Sequence, residues 1–439
     1  MMDHTQPRPA AGTAASLLFM ATLLFYLVTL TPFIDLSAAA AGDVATAKSN
    51  RLNQIVYLGL TAVLWLTVLR SSARHLVARP RGILIAMLLW FALVSAVSAQ
   101  PDVALKRVFL AMLTIVNGST LLLLPRSERQ FAGMLTLCCL GTLTLAYLGV
   151  ALMPQLAIHQ ASEIREPMNA GLWRGHFAHK NVAAAAMVVI SFVGLYLFGT
   201  GRRLVGSLMV VLAAMFLAQT GGKSAIAALP GILGIAWAFE RWRALRIPMI
   251  AIGIAAINIL TIGCAMSPTM RGLVAGLGID PTFTNRIDIW KIGATAVLDR
   301  PLTGHGFQLF WQTDAMVHKG GAAAGWAYAA FNGHNAYLDM AITTGLPGLV
   351  LTLVLIVWLP LRAIARAEAT ANDPALTRLF VRIWLYGILA ACVESLFFQS
   401  GSLIWFMLIV AIFGLHLQAS AHEIREPAQH PREMEPAHA

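Results

Sequence analysis

The sequence predicts an all-α polytopic membrane protein of about twelve transmembrane helices with two large outward-facing loops, and three observations predict it. Apolar runs of about 17 to 22 residues recur along the chain, the length a helix needs to cross a hydrocarbon core. Hydrophobic residues make up 58% of the 439 and charged residues only 12%, too few charges to coat a soluble surface. The basic residues gather in alternate short connections, as the resistance of positive charge to translocation requires.

The first predicted span, 16–35, follows a short, weakly charged segment, and no small-residue cleavage pattern marks it as a removable leader. Spans 52–68 and 82–98 bracket Arg70, Arg74, Arg79 and Arg81, and spans 108–124 and 131–153 bracket Arg126 and Arg129. Spans 182–198 and 204–217 are joined through Arg202 and Arg203. Spans 224–239 and 248–266 are joined through Arg241, Arg243 and Arg246. Spans 341–360, 380–398 and 403–417 complete the set, with Arg362, Arg366, Arg378 and Arg382 between the first two. These inner connections hold fifteen basic residues. The matching outer ones hold five: Lys48, Arg51, Lys106, Arg107 and Lys223.

Both termini are therefore expected in the cytoplasm, and loops 154–181 and 267–339 are expected to face outward. The chain divides into a cytoplasmic segment 1–15, one integral domain 16–417, and a polar tail 418–439. The tail carries Pro427, Pro431 and Pro436 and is expected to be disordered. The echo between residues 163–167 and 423–427 falls on opposite sides of the membrane and is read as coincidence.

A net charge of +11 and a pI near 10.0 would suit a nucleic-acid partner if the charge formed a continuous patch. It sits instead at cytoplasmic span ends, so membrane lipid accounts for it and no nucleic acid is expected. All four cysteines, Cys138, Cys139, Cys264 and Cys392, fall within spans, so no disulfide framework is implied.

Chemistry is expected in the outer loops, because packing between spans needs only apolar residues. In the larger loop Ile287, Trp290, Ala294 and Val297 recur at helical spacing and end before Asp299-Arg300-Pro301. They predict an amphipathic helix near the membrane surface with Arg286 and Lys291 at its polar side. Gly304-His305-Gly306 permits a tight turn or the close approach of a ligand. His334, in Phe331-Asn332-Gly333-His334-Asn335-Ala336-Tyr337-Leu338, stands at the mouth of the bundle, where an imidazole can take a proton from a hydroxyl.

The other loop ends in Trp173-Arg174-Gly175-His176-Phe177-Ala178-His179-Lys180-Asn181. Arg174 and Lys180 are candidate phosphate-binding cations. His176 and His179 have metal-compatible spacing but no carboxylate or cysteine beside them, and no metal site is expected. Gln219-Thr220-Gly221-Gly222-Lys223-Ser224 looks like a nucleotide-binding loop, yet Leu217 stands where its first glycine belongs. Lys223 is read instead as a further outer cation. Glu394, an acid placed within the eleventh span, is a functional candidate by that position alone. The bland alternatives are interfacial anchoring for the cations and helix packing for the acid.

Together these strings resemble the O-antigen ligase and O-antigen polymerase superfamily of bacterial envelope enzymes over approximately residues 52–417, and exopolysaccharide-type polymerases in particular. The resemblance rests on Gly175 to Asn181, Thr220 to Ser224, Arg286 to Gly306, and His334-Asn335-Ala336-Tyr337-Leu338 with Gly345-Leu346-Pro347-Gly348 behind it. It implies a glycosyltransferase of the bacterial inner membrane that works at the periplasmic face without metal or cofactor. The implied donor is a polyprenyl-pyrophosphate-linked oligosaccharide. The implied acceptor is a second lipid-linked glycan for a polymerase or lipid A-core for a ligase, with export or chain-length machinery as further partners. By position, His334 resembles the family's catalytic histidine and Arg286 its essential arginine. Lys223, Arg174 and Lys180 would hold pyrophosphate, with Asn335, Tyr337, His305, His179 and Glu394 in support. Lys223 departs from the arginine common in ligases, and a lysine acts as a point charge rather than a bidentate fork. A lipid-linked oligosaccharide transporter and a non-catalytic assembly subunit stand as readings from other classes.

Overall fold

The computed structural model describes residues 10–36, 43–163, 166–283, 286–311, 313, 316, 327, 330–370 and 374–425. Helices α1 to α5 span Ala10–Val28, Asp43–Leu69, Arg81–Ala96, Pro101–Leu121 and Glu128–Leu152. After the smaller loop come α6 (Lys180–Gly199), α7 (Arg203–Gln219), α8 (Lys223–Arg241) and α9 (Arg246–Met266). The larger loop holds α10 (Pro268–Gly276) and α11 (Arg286–Asp299). Helix α12 (Ala336–Leu353) continues through a π turn, Val354–Trp358, into α13 (Leu359–Thr370), and α14 (Pro374–Ala390) and α15 (Leu403–Arg425) follow. Among the described residues there is no β-strand, only an isolated bridge between Ile158 and Trp173.

A helix stands at each of the twelve segments expected to span. Among the described residues, seven stretches suffice by length and composition to cross a membrane: Arg51–Leu69, Pro101–Leu121, Glu128–Leu152, Lys180–Gly199, Arg243–Met266, Ala336–Ala369 and Leu403–Ser420. Gly12–Val28, Arg81–Ala96 and Arg203–Gln219 are shorter apolar helices. Several boundaries move, the second and fourth spans beginning at Asp43 and Pro101 rather than 52 and 108. The first span ends at Val28 rather than 35, the tenth begins at Ala336 rather than 341, and the eleventh stops at Ala390 rather than 398. Helix α15 also runs into the segment expected to be a disordered tail, reaching Arg425. Residues 1–9 and 426–439 lie outside the described residues.

Helices α6 and α15 form the centre of the bundle, 72% and 78% buried along their apolar windows, against 22% for Arg51–Leu69 and Arg243–Met266. Small residues let the central helices close up, since helices in lipid associate by van der Waals packing rather than by expulsion of water. A Cβ on Gly194 of α6 would lie 2.9 Å from Gly206 O of α7, and a Cβ on Gly206 would lie 2.5 Å from Gly194 O.

The larger loop is locked to the bundle at a break in α12. Gly345 has φ +69°, and Pro347 has no N–H to offer Thr343 O. The freed carbonyls of Ile342, Thr343 and Thr344 accept from His305 N–H at 2.9 Å, Gly306 N–H at 3.0 Å and Trp90 Nε1–H at 2.9 Å. Leu346 N–H donates outward to Pro301 O at 2.8 Å. The Gly304-His305-Gly306 turn is therefore a backbone clasp on the Gly345-Leu346-Pro347-Gly348 break. Gly345→Ala would put a Cβ 2.0 Å from Leu302 O in a left-handed conformation. It should destabilise the protein by at least about 2 kcal/mol, whereas Gly272→Ala, in open space on α10, should leave the thermal midpoint in detergent unchanged or raised.

Candidate active site

From Ala391 to Ser402 the chain between α14 and α15 leaves the regular helix. A helix end strands its last carbonyls, and here the loop residues singled out by sequence supply the donors. Tyr337 Oη–H donates to Ile388 O at 2.8 Å, and Ala336 N–H to Ala391 O at 2.8 Å. Asn335 Nδ2–H donates to Cys392 O at 3.0 Å, and Arg286 Nη1–H to Val393 O at 2.6 Å. Asn335, fully buried, also caps α12 by accepting Leu338 N–H at 3.0 Å and reaches Asn258 of α9 at 2.8 Å. Asn335 and Tyr337 are thus braces rather than groups open to a ligand.

Glu394 sits in this unwound joint, which corrects its expected place within a span. Its Oε1 is 3.1 Å from Arg286 Nη2, and its Oε2 is 3.5 Å from His334 Nδ1. The second contact is electrostatic, longer than a good hydrogen bond. His334 has φ +47° and donates its N–H to Asn332 Oδ1 at 3.1 Å. The side chains of His334, Arg286 and Glu394 are 34%, 23% and 31% exposed, so the cluster is open to a ligand. Burial alone would raise the Glu394 carboxyl, but His334 and the Arg286 charge outweigh it and hold the group below its ordinary 4.5.

This cluster borders a cavity of about 660 Å³. Asn332, Glu394, Ser395 and Gln399 give it a polar side, while Ala184 and Ala185 of α6 and Ala225, Ala228 and Ile232 of α8 give it an apolar one. Lys180 and Lys223 are the first residues of these two helices and stand near enough for their charges to repel. Two helix N-termini, each headed by a lysine, bring positive charge together at this point.

The smaller loop caps α6 with histidine nitrogens. Lys180 N–H donates to His159 Nε2 at 3.2 Å, and Asn181 N–H to His179 Nδ1 at 3.1 Å. The remaining nitrogens therefore carry the protons: His159 Nδ1 faces Glu163 at 2.7 Å and His179 Nε2 faces Glu166 at 2.8 Å. Burial lowers the His159 pKa, against the pull of Glu163.

Arg174 departs from the pyrophosphate-binding expectation. It is fully buried, donating to Ile34 O at 2.6 Å and Phe177 O at 3.2 Å, and so straps the loop to the residues after α1. His176 is buried too, its Nε2 3.0 Å from Leu27 O and its pKa pushed down to about 4 by burial. His305 directs Nε2 to Ala296 O at 3.1 Å as part of the clasp. Among the described residues no three His, Cys, Asp or Glu side chains are placed to hold a metal ion, and the four cysteines are free and buried.

Asn332, Asp339, Ser395 and the His159–Glu163 pair were missed by the sequence reading. Only Asp339 had a local signal, as an acid in the first turn of the helix that follows His334. Because the folded Glu394 value lies below 4.5, the stability it contributes is complete above that pH and is lost as pH falls through the depressed value. The thermal-midpoint gap between wild type and Glu394→Gln should be largest near neutrality and close on acidification. A gap constant with pH would remove the ion pair from the account.

A family model described as O-Antigen ligase matches residues 208–353, the stretch holding Lys223, Arg286 and His334 but not Lys180 or Glu394. The exopolysaccharide production protein ExoQ of Rhizobium meliloti (strain 1021) is 24% identical over 228 residues, covering 47% of this chain and 50% of that protein. The match thus spans about half the length of the curated relative. The two similarities, beside a helical bundle that brings Arg286, His334 and Glu394 together, support the resemblance to the O-antigen ligase and O-antigen polymerase superfamily.

Proposed function

We propose that the protein is a membrane glycosyltransferase that moves a glycan from a polyprenyl-pyrophosphate carrier to a sugar hydroxyl at the periplasmic face, polymerising surface or exopolysaccharide repeat units. The observation that carries this reading is the convergence of His334 and Arg286 on Glu394, which lines a cavity with one polar and one apolar side. Such a cavity suits a ligand that joins a charged diphosphate to a hydrocarbon chain. The similarity to an exopolysaccharide production protein supports a role in making exopolysaccharide, and the description of the family model favours the second reading, a ligase, whose acceptor would be lipid A-core.

In the proposed step the acceptor hydroxyl oxygen attacks the anomeric carbon, the bond from that carbon to the pyrophosphate oxygen breaks, and the hydroxyl proton passes to His334. Glu394, lying on the Nδ1 side of the ring, favours the tautomer that leaves Nε2 free as base and stabilises the imidazolium that forms. Arg286 meets negative charge developing on the departing diphosphate, and Lys180 and Lys223 hold the same group at the heads of α6 and α8. These cations are already in place, so little reorganisation accompanies the reaction.

His334→Ala should abolish transfer while membrane abundance stays unchanged, and Arg286→Ala should slow it about a hundredfold, on the order of 3 kcal/mol in the barrier. Lys223→Ala should chiefly raise the donor KM, roughly tenfold. The assay is the purified protein in liposomes with a synthetic polyprenyl-pyrophosphate oligosaccharide, offered a second copy of it or lipid A-core. A product ladder supports the polymerase and a single capped product the ligase. Movement of the lipid with no new glycosidic bond would overturn both. Since the native cysteines are buried, a membrane-impermeant thiol reagent can test sidedness. Phe331→Cys should label in intact cells with a permeable outer membrane, and Arg243→Cys only after the inner membrane is opened.

A further inference from the structure

We propose that Asp339 is the positioning residue of the site, holding His334 and Glu394 in register through the residue beside each. The inference rests on the reading of His334 as the base. The Asp339 Oδ1 accepts Gly333 N–H at 3.0 Å and Trp311 Nε1–H at 2.7 Å, and its Oδ2 accepts the Ser395 hydroxyl. Gly333 immediately precedes His334, and Ser395 immediately follows Glu394. One carboxylate on a rigid helical turn thus ties together the two unwound segments that carry the proposed base and its partner.

The approach is close enough to dictate the neighbouring residue. A Cβ on Gly333 would lie 2.4 Å from Asp339 Oδ1 and 3.1 Å from Trp311. The same peptide is held from its other side, since Trp290 Nε1–H donates to Gly333 O at 2.9 Å. His334 follows with a left-handed backbone, a conformation that persists only when its surroundings enforce it. Releasing Gly333 lets that residue relax and turns the imidazole away from Glu394. Three donors converge on Asp339, and only a carboxylate offers acceptors alone. An asparagine of equal size loses the charge that strengthens all three bonds, and it holds Ser395 only if that hydroxyl turns from donor to acceptor.

The test compares wild type, Asp339→Asn and the milder Ser395→Ala, purified in detergent and in liposomes. With the lipid-linked oligosaccharide as donor, Asp339→Asn should lower kcat about tenfold to a hundredfold while donor KM stays within about twofold, because misplacement of a base weakens the reaction step and leaves the lysine-headed helix ends intact. Ser395→Ala should shift kcat in the same direction by less. An activity-independent arm measures carbethoxylation of individual histidines by diethyl pyrocarbonate and mass spectrometry. His334 should react severalfold faster in Asp339→Asn, with His75 at the far end of the bundle unchanged and the thermal midpoint nearly so. Unchanged kcat and His334 reactivity overturn the proposal. So does a general rise in histidine reactivity with a fallen midpoint, which would make Asp339 an architectural residue only. If wild type transfers no glycan the glycosyltransferase reading falls, and the His334 arm still decides whether Asp339 positions that ring.

Discussion

A backbone carbonyl inside a bilayer has no water to bond with, and the satisfaction of such carbonyls at two helix breaks organises the half of this protein that carries the candidate site. At Gly345 the carbonyls of Ile342, Thr343 and Thr344 are taken by His305, Gly306 and Trp90. Beyond Ala390 those of Ala391, Cys392 and Val393 are taken by Ala336, Asn335 and Arg286. In both places the donors come from other segments than the broken helix. The loop between α9 and α12 is therefore held by the bundle at a series of fixed points.

That arrangement places charge as well as backbone. Arg286 is drawn to Val393 O, and Glu394 comes next in the chain, so the guanidinium meets the carboxylate as a consequence of repairing the helix end. His334 precedes the cap residue Asn335, so the same joint sets the imidazole on the other oxygen of that carboxylate. On the smaller loop, His159 and His179 take the first N–H groups of α6 and leave Lys180 at the helix head beside Lys223. Glu394 of the first site and Asn181, Gly222 and Ser224 at the helix heads of the second line one cavity, and the proposed reaction needs both.

Much of the bundle was legible because hydropathy records environment directly. Helices stand at all twelve expected segments, and the spacing of Ile287, Trp290 and Val297 with the stop at Asp299-Arg300-Pro301 located α11. His334 and Arg286 were legible through the strings around them. The fate of the other polar residues was not. Arg174 and Lys180 lie six positions apart and look alike as outer cations, yet one is fully buried against carbonyls and the other heads a helix. Nothing local separates them, because the carbonyl that claims Arg174 belongs to Ile34. Glu394 was misplaced for a related reason. Its flanking Val393, Leu396, Phe397 and Phe398 are as apolar as a span, and the unwinding beyond Ala390 is stabilised by donors distant in sequence.

By itself, then, the sequence determined the helical membrane class, the approximate location of the apolar segments and the residue types available for chemistry, since these follow from local hydropathy, charge and turn-forming residues. Tertiary structure alone decided which polar groups are braces and which face the cavity, and that Arg286 and His334 meet on Glu394. The physical reason is that a buried hydrogen-bonding group takes whichever partner the fold brings within about 3 Å, and for Arg174 that partner lies 140 positions away.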